Sequence, residues 1–398
     1  MKIIKNYGIV FVLLFTAFSV SANNKNELPK EFQGDTWNSK YEISYDDLSA
    51  LLNATVLDMG ISAKRKLKAS KAKTGTRFKN NRKLYTALEA NRFYFEAFKD
   101  EASKQLLTKI RKSLEQVPSE IPLSKLKEKE QLAYWLNLYN VTVLEQLTLM
   151  YPIKSIEDEL VDDDSFLNKK LLTVAGHKIS LNYIHHQIIL TRFKKNKDVM
   201  YGLYQGNIGS PNIRREAYTG ETVLKQLESN ANEFINSNRG VFQGKKNKLR
   251  VSKFYEQNKG LFPNFKDDLT KHLLYYANGS IRRSIENAKS IKTNVEDWTI
   301  TDVYGTQRNY GGGINNNSAA MLDSTSSTAN EALGLGEGAG GGVQAANMGF
   351  ISESFAERTL SFGRFSPEQV ELLKQLNNNQ LENRSSVTVT DLSDGTDN

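Results

Sequence analysis

The stretch QLAYWLNLYNVTVLEQL, Gln131 to Leu147, decides the fold. Its apolar residues recur with helical period but continue nearly all the way round, so it reads as a buried central helix rather than a surface one. Two asparagines, Asn137 and Asn140, interrupt it. On a wheel of about 100° per residue Asn140 falls between Leu136, Leu144 and Leu147, where an unpaired amide costs about 1 to 3 kcal/mol. Both side chains must therefore bind backbone, another side chain or ordered water. They are either a polar staple that fixes a loop on the core helix or the lining of a pocket.

Working outward, apolar segments of mostly helical period alternate with short polar breaks from about Tyr41 to Asp302. The spacing predicts helices over Leu84 to Lys99, Lys104 to Gln116, Leu126 to Met150, Leu181 to Phe193, Gly220 to Ser237 and Phe265 to Tyr276, with Pro118, Pro122 and Pro152 marking breaks. Strand signals are shorter: Lys170 to Val174 with Lys178 to Ser180 around Ala175-Gly176-His177, and Lys248 to Ser252. After Trp298 the composition changes. Nine of the 26 glycines lie between Gly311 and Gly342 among Asn, Ser, Thr and Ala, which predicts a flexible linker over 303–350. SPEQVELLKQL then reads as a helix capped by Ser366, with Pro367 at its first position and Gln369 closing a capping box, inside a segment 351–376. Residues 377–398 are expected to be disordered, and no internal repeat is visible.

The first 22 residues read as a secretory signal: Lys2 and Lys5, an apolar run from Ile9 to Val20, then Val20-Ser21-Ala22 before Asn23. That run is too short to cross a bilayer, which takes about 20 residues, so an exported chain without a transmembrane span is expected, periplasmic or secreted. Without Lys2 and Lys5 the 53 basic residues become 51 against 45 acidic ones, a net charge of +6 that suits anionic neighbours. The 398 residues, 39% hydrophobic and 25% charged, suffice for a large core in one main domain, taken as 41–302 after an N-terminal segment 23–40. There is no cysteine, which excludes disulfides, a thiolate nucleophile, thiolate metal sites and a lipobox anchor.

Three motifs carry possible chemistry. In SLNYIHHQIILTRF, Ser180 to Phe193, His185 falls inside the stripe of Leu181, Ile184, Ile188 and Ile189, and His186 sits at its edge. Adjacent residues of an α-helix diverge, so the two histidines make a poor metal pair. His177 and His272 have no acidic partner at metal-motif spacing, and no metal or cofactor is expected. In YGLYQGNIGSPNIRREAYTG, Tyr201 to Gly220, the glycines 202, 206 and 209 let the backbone approach a ligand or a neighbouring strand. Neither a phosphate loop nor a dinucleotide fingerprint is present. Ser210 follows Gly209 like a nucleophile, but Pro211 removes the N–H that an oxyanion hole would use. Arg214 and Arg215 could meet a carboxylate or phosphate, or simply pair with Glu216 or Glu221. Finally, Lys64 to Lys83 holds ten basic residues and no acidic one, a solvated loop or a contact for an anionic polymer or lipid surface. Its single aromatic, Phe78, argues against nucleic acid, and EDELVDDD, Glu157 to Asp164, reads as a solvated turn rather than a calcium loop.

The succession EQLAYWLNLYN, YP, ISLNYIHHQIILTRF, YGLYQGNIGSPNIRREAYTG and RVSKFYEQNKGLF resembles the family known as domain of unknown function 547, from about Tyr41 to Trp298. The Trp135 to Asn140 string is its most specific element. The resemblance implies no defined activity. Many members carry a histidine and two cysteines in the glycine-rich loop and a glutamate in the following motif, where this chain has Met200, Gln205, Ser210 and His185; a thiol chemistry, if the family has one, is absent here. His186, Asn137, Asn140, Pro211 and Tyr218 match.

These readings converge on a predominantly helical α+β domain with a small sheet. A polar cleft is expected between the Trp135 to Asn140 helix, the histidine helix and the Gln205 to Pro211 loop. Its candidate ligand groups are Asn137, Asn140, His186, Gln205, Asn207, Ser210, Arg214 and Tyr218. The expected role is non-catalytic binding or assembly in the cell envelope, with an unidentified protein or envelope component as partner. The alternatives are a hydrolase or transferase that uses Ser210 with His185 or His186, and a binder of anionic glycan or lipid through Lys64 to Lys83.

Overall fold

The computed structural model describes residues 28–62, 64, 85–86, 89–98, 101–161, 164–243, 248–303 and 388–391. The signal segment, the basic run beyond Lys64, the linker beyond residue 303 and the segment 351–376 lie outside them. In chain order come β1 (Tyr41–Ser44), α1 (Asp46–Thr55), β2 (Val56–Leu57), β3 (Arg92–Phe93), α2 (Glu101–Glu120), α3 (Glu128–Met150), α4 (Glu157–Val161), β4 (Leu172–Val174) and β5 (His177–Ile179). A π-helix (Tyr183–Ile189) runs into α5 (Leu190–Arg192), followed by a 3₁₀ helix (Lys197–Gly202) and α6 (Val223–Ile235). Then follow β6 (Val241–Gln243), β7 (Lys248–Ser252), α7 (Phe254–Gln257), α8 (Phe265–Tyr276), α9 (Gly279–Glu286), β8 (Ser290–Val295) and β9 (Thr388–Asp391). The fold is α+β and predominantly helical, with small sheets.

α3 is the axis of the core. From Glu130 to Leu144 every side chain is buried, as the all-round apolar pattern requires. Glu128 and Glu130 in its first turn complement the helix dipole, and the residue before Pro152 leaves the helix in extended conformation. α2 lies beside it. Arg111 binds Glu145 of α3 through Nε at 2.5 Å, and Thr108 donates to the same carboxylate at 2.7 Å. The three-stranded sheet runs β6-β7-β8; β6 is antiparallel to β7, and the crossover α7-α8-α9 brings β8 back parallel to β7.

Several expectations need correction. Pro118 does not end its helix but sits inside α2. A proline frees the carbonyl four residues earlier, here that of Leu114, and the Tyr134 hydroxyl donates to it at 3.1 Å. The described residues of Leu84 to Lys99 do not form one helix: Ala90 has φ +68°, Arg92–Phe93 pairs with β2, and Phe95–Phe98 is a single 3₁₀ turn. Its phenylalanines reach the core from this irregular backbone, Phe93 stacked on Phe98 at 5.4 Å between centroids. Leu181 to Phe193 is helical, but wound over Tyr183–Ile189 as a π-helix. The fold also begins before Tyr41, because Phe32 is fully buried with its ring edge-on to Trp135 at 5.1 Å. Within 377–398, residues Thr388–Asp391 form a strand antiparallel to β1, with Tyr41 opposite Asp391. The hairpin lies where the sequence places it, β4 and β5 turning at Ala175 and Gly176, which both have positive φ as a tight two-residue hairpin turn demands.

Candidate functional site

Asn137 and Asn140 clamp main chain. Asn137 donates to the Tyr218 carbonyl at 2.7 Å and accepts from the Tyr218 N–H at 2.9 Å. Asn140 donates to the Gly202 carbonyl at 2.9 Å and accepts from the Tyr204 N–H at 3.0 Å. Each amide offers one donor and one acceptor edge, as a neighbouring strand would, and satisfies two buried backbone groups of a segment outside any sheet. The space beside them is a cavity of only about 10 Å³, with Leu48, Leu144 and Ile213 in its wall. That is too tight to be a ligand cleft.

The glycine loop threads between α3 and the segment 297–302. Gly206 has φ +84°, and a Cβ there would collide with Leu147 of α3; a Cβ on Gly209 would stand 2.8 Å from the Asp297 nitrogen. The close approach is to neighbouring backbone, with Gly209 N–H donating to the Asp297 carbonyl and Ile208 N–H to that of Thr299, both at 2.9 Å. Ser210 is buried, its hydroxyl donating to the Asn207 carbonyl at 2.9 Å and accepting from the Gln205 N–H at 3.3 Å. No histidine is among its hydrogen-bond partners. Asn207 is bridged to Ile300 through its backbone. Arg214 faces inward, donating to Asn230 Oδ1 at 3.0 Å and the Gln226 carbonyl at 3.2 Å, and the Tyr218 hydroxyl accepts from Asn230 at 3.3 Å. Met200 is fully buried.

The histidines depart from the helical expectation. Two consecutive residues should diverge, yet in the wider π-turn the rings of His185 and His186 stack at 4.1 Å, 17° from parallel. His185 is buried and bonded to Asn258 Oδ1 at 2.8 Å; burial pushes its pKa down to about 3. His186 is exposed, with its pKa lowered by partial desolvation. The three expected segments do converge, through the end of α7: Gln205 donates to Gln257 at 3.0 Å, next to the Asn258 that holds His185.

Two features escaped the sequence reading. The first is a buried charge cluster behind the loop. Arg239 is fully buried; its guanidinium binds the Ser210 carbonyl and Glu233, and donates to Asn212 Oδ1 at 2.9 Å, over the Phe234 ring at 4.9 Å. Glu89 accepts from the N–H groups of Asn238 and Arg239 at 2.9 Å each, and burial raises the pKa of both Glu89 and Glu233. Glu89 and the Ser210 loop come to Glu233 and Arg239 from far along the chain, and the set forms no spacing motif.

The second is a broad surface cavity of about 470 Å³ between α6, α8 and the 3₁₀ helix Lys197–Gly202. Helical spacing on α6 presents Leu224, Lys225 and Glu228, and on α8 His272, Tyr275 and Tyr276. Asn196, Lys197 and Asp198 complete it. Tyr276 donates to Asp198 at 2.5 Å, and His272 Nε2 lies 2.9 Å from the Tyr201 hydroxyl, deeper in the core. Burial lowers the His272 pKa to about 4 and raises that of Asp198.

Residues 123–235 match the family described as Protein of unknown function, DUF547. The match runs from the turn before α3 to the end of α6 and contains both asparagine clamps, the stacked histidines and the glycine loop. No curated protein and no solved structure matches the chain. Among the described residues no helix is long and apolar enough to cross a membrane.

Proposed function

We propose that this DUF547-related chain is an exported, non-catalytic binding or assembly protein of the cell envelope, and that its ligand meets the α6/α8 cavity rather than the asparagine helix. The observation that carries this reading is the contrast in polar groups. Asn137, Asn140, Ser210, Arg214 and Tyr218 are committed to internal partners, whereas Lys225, Glu228 and Tyr275 stand at the rim of an open surface groove of about 470 Å³. Export rests on the leading segment, Lys2 to Ala22.

The test is a thermal-unfolding screen of the mature protein against envelope glycans, peptides and lipid headgroups. A ligand that binds the folded state alone raises the midpoint by mass action. The expected result is a rise with one class that Tyr275→Ala removes and Ser210→Ala leaves intact. Turnover of any ligand that is abolished by Ser210→Ala would reverse the reading.

A further inference from the structure

We infer that the α6/α8 cavity takes a short neutral saccharide, an assignment of ligand class that rests on the binding role proposed above. The charges around it balance. Lys197 and Lys225 face Asp198 and Glu228, and His272, with its pKa near 4, adds no charge at neutral pH. Such a set gives neither a phosphate nor a polyamine a net electrostatic advantage. It does offer, within one cavity, the ammonium of Lys225 as donor, the carboxylate of Glu228 as acceptor, and the amide N–H of Asn196, whose Oδ1 is taken by the Asp198 N–H. A sugar presents the matching array, because every hydroxyl can donate and accept at once. A purely apolar ligand would strand these groups without water.

The wall supplies what the other face of a sugar ring needs. Tyr275 is 75% exposed, an unusual position for a large aromatic, and its ring is braced edge-on against Tyr276 at 4.8 Å and 84°. Leu224, also exposed, extends the apolar surface from α6. A pyranose has a flat face of C–H groups that stacks on such a ring while its equatorial hydroxyls reach the polar rim. The floor is firm: Asp198 is fixed by the Tyr276 hydroxyl at 2.5 Å and its N–H by Asn196 Oδ1 at 2.9 Å. The same 3₁₀ helix is anchored at its other end by Asn140 on Gly202. The core clamp thus positions the cavity floor, and a pre-set floor lowers the ordering cost of binding.

The experiment is calorimetric titration of the mature full-length protein with chitotetraose, maltotetraose and cellotetraose, alongside inorganic triphosphate and spermidine as charged probes. The expected result is saturable binding of at least one tetrasaccharide that changes less than about twofold between low salt and about 0.5 M salt. Tyr275→Ala should weaken it about tenfold, the worth of one aromatic contact, and Tyr275→Trp should retain it. Both variants alter an exposed side chain, so they leave the fold intact. If only triphosphate or spermidine binds, in a manner lost with Tyr275→Ala, the saccharide assignment falls while the binding role stands. If none of the five probes binds, the saccharide assignment falls as well, and the thermal screen against peptides and lipid headgroups then decides whether the binding role falls with it.

Discussion

The clamped loop and the α6/α8 cavity are built from the same kinds of side chain, asparagine, tyrosine, histidine and charged groups, and use them in opposite ways. Around the loop each amide faces backbone that has no strand beside it, so Asn137 and Asn140 take the place of a strand. Around the cavity the polar groups are presented at the surface by α6, α8 and the 3₁₀ helix with its cap. A specific motif in the chain therefore marks where irregular backbone must be held, and the surface open to a ligand is formed by residues that no motif singles out.

The strongest way to break that contrast is at the centre of the buried cluster. Arg239→Met removes the one group that, among the described residues, both pairs with Glu233 and ties down the Ser210 carbonyl. Breaking a buried ion pair from one side costs about 3 to 5 kcal/mol, and chemical denaturation of the variant should show a loss of that size. A loss below 1 kcal/mol would mean that the loop does not depend on the cluster. Asn140→Leu should come next. It keeps the branched outline of the side chain but leaves the Gly202 carbonyl and the Tyr204 N–H unpaired, a loss on the order of 3 kcal/mol for two buried groups. If the asparagine were a ligand group in an open cleft, the same substitution would be near neutral for stability.

The central helix and the need to pair its asparagines could be read from the chain because helical period is local, and α8 lies over Phe265–Tyr276 as its spacing indicates. What could not be read depends on residues brought together from afar. Whether Pro118 stops a helix depends on a hydroxyl sixteen positions further along the chain, at Tyr134, and nothing near Pro118 signals it. α-Helical spacing points the two adjacent histidines apart, whereas a π-turn, which the local sequence does not signal, stacks their rings. Glu89, Glu233 and Arg239 carry no spacing signal, and the cavity exists only where α6, α8 and a 3₁₀ turn meet. Tyr275 carried a weak sign of its own, a large aromatic one position off the buried face of α8 at Leu269, His272, Leu273 and Tyr276.

The acid response separates the two regions more finely. His185 has a folded pKa of about 3 against an ordinary value near 6.5. Above pH 6.5 neither state holds the proton and its contribution is fully present; below that the unfolded chain takes up a proton that the folded one refuses, and stability is lost as pH falls toward 3. At pH 5 this amounts to about 2 kcal/mol. His185→Gln keeps a partner for Asn258 and should flatten the urea-unfolding profile between pH 6.5 and 5 by that amount. An unchanged profile would mean that His185 titrates normally and is therefore open to water. Ser210→Ala is smaller still. It deletes the hydrogen bond to the Asn207 carbonyl and the longer one from the Gln205 N–H, together about 1 to 1.5 kcal/mol, and should leave ligand binding at the cavity unaltered.

Tyr275→Ala belongs at the bottom of the stability scale because its side chain is 75% exposed, and surface changes fall within about 0.5 kcal/mol. Its expected effect on binding is nonetheless the largest of any substitution around the cavity. A residue can be nearly silent in folding and decisive in recognition only when its contact area lies outside the folded chain, the reverse of Asn140, whose partners are all inside it. Measured together, the two variants divide the molecule. If Asn140→Leu lowers stability and weakens binding in proportion, the clamp acts on the cavity only by holding the fold. If binding falls further than stability, the clamp sets the position of Asp198 through the 3₁₀ helix, and the two regions work as one device.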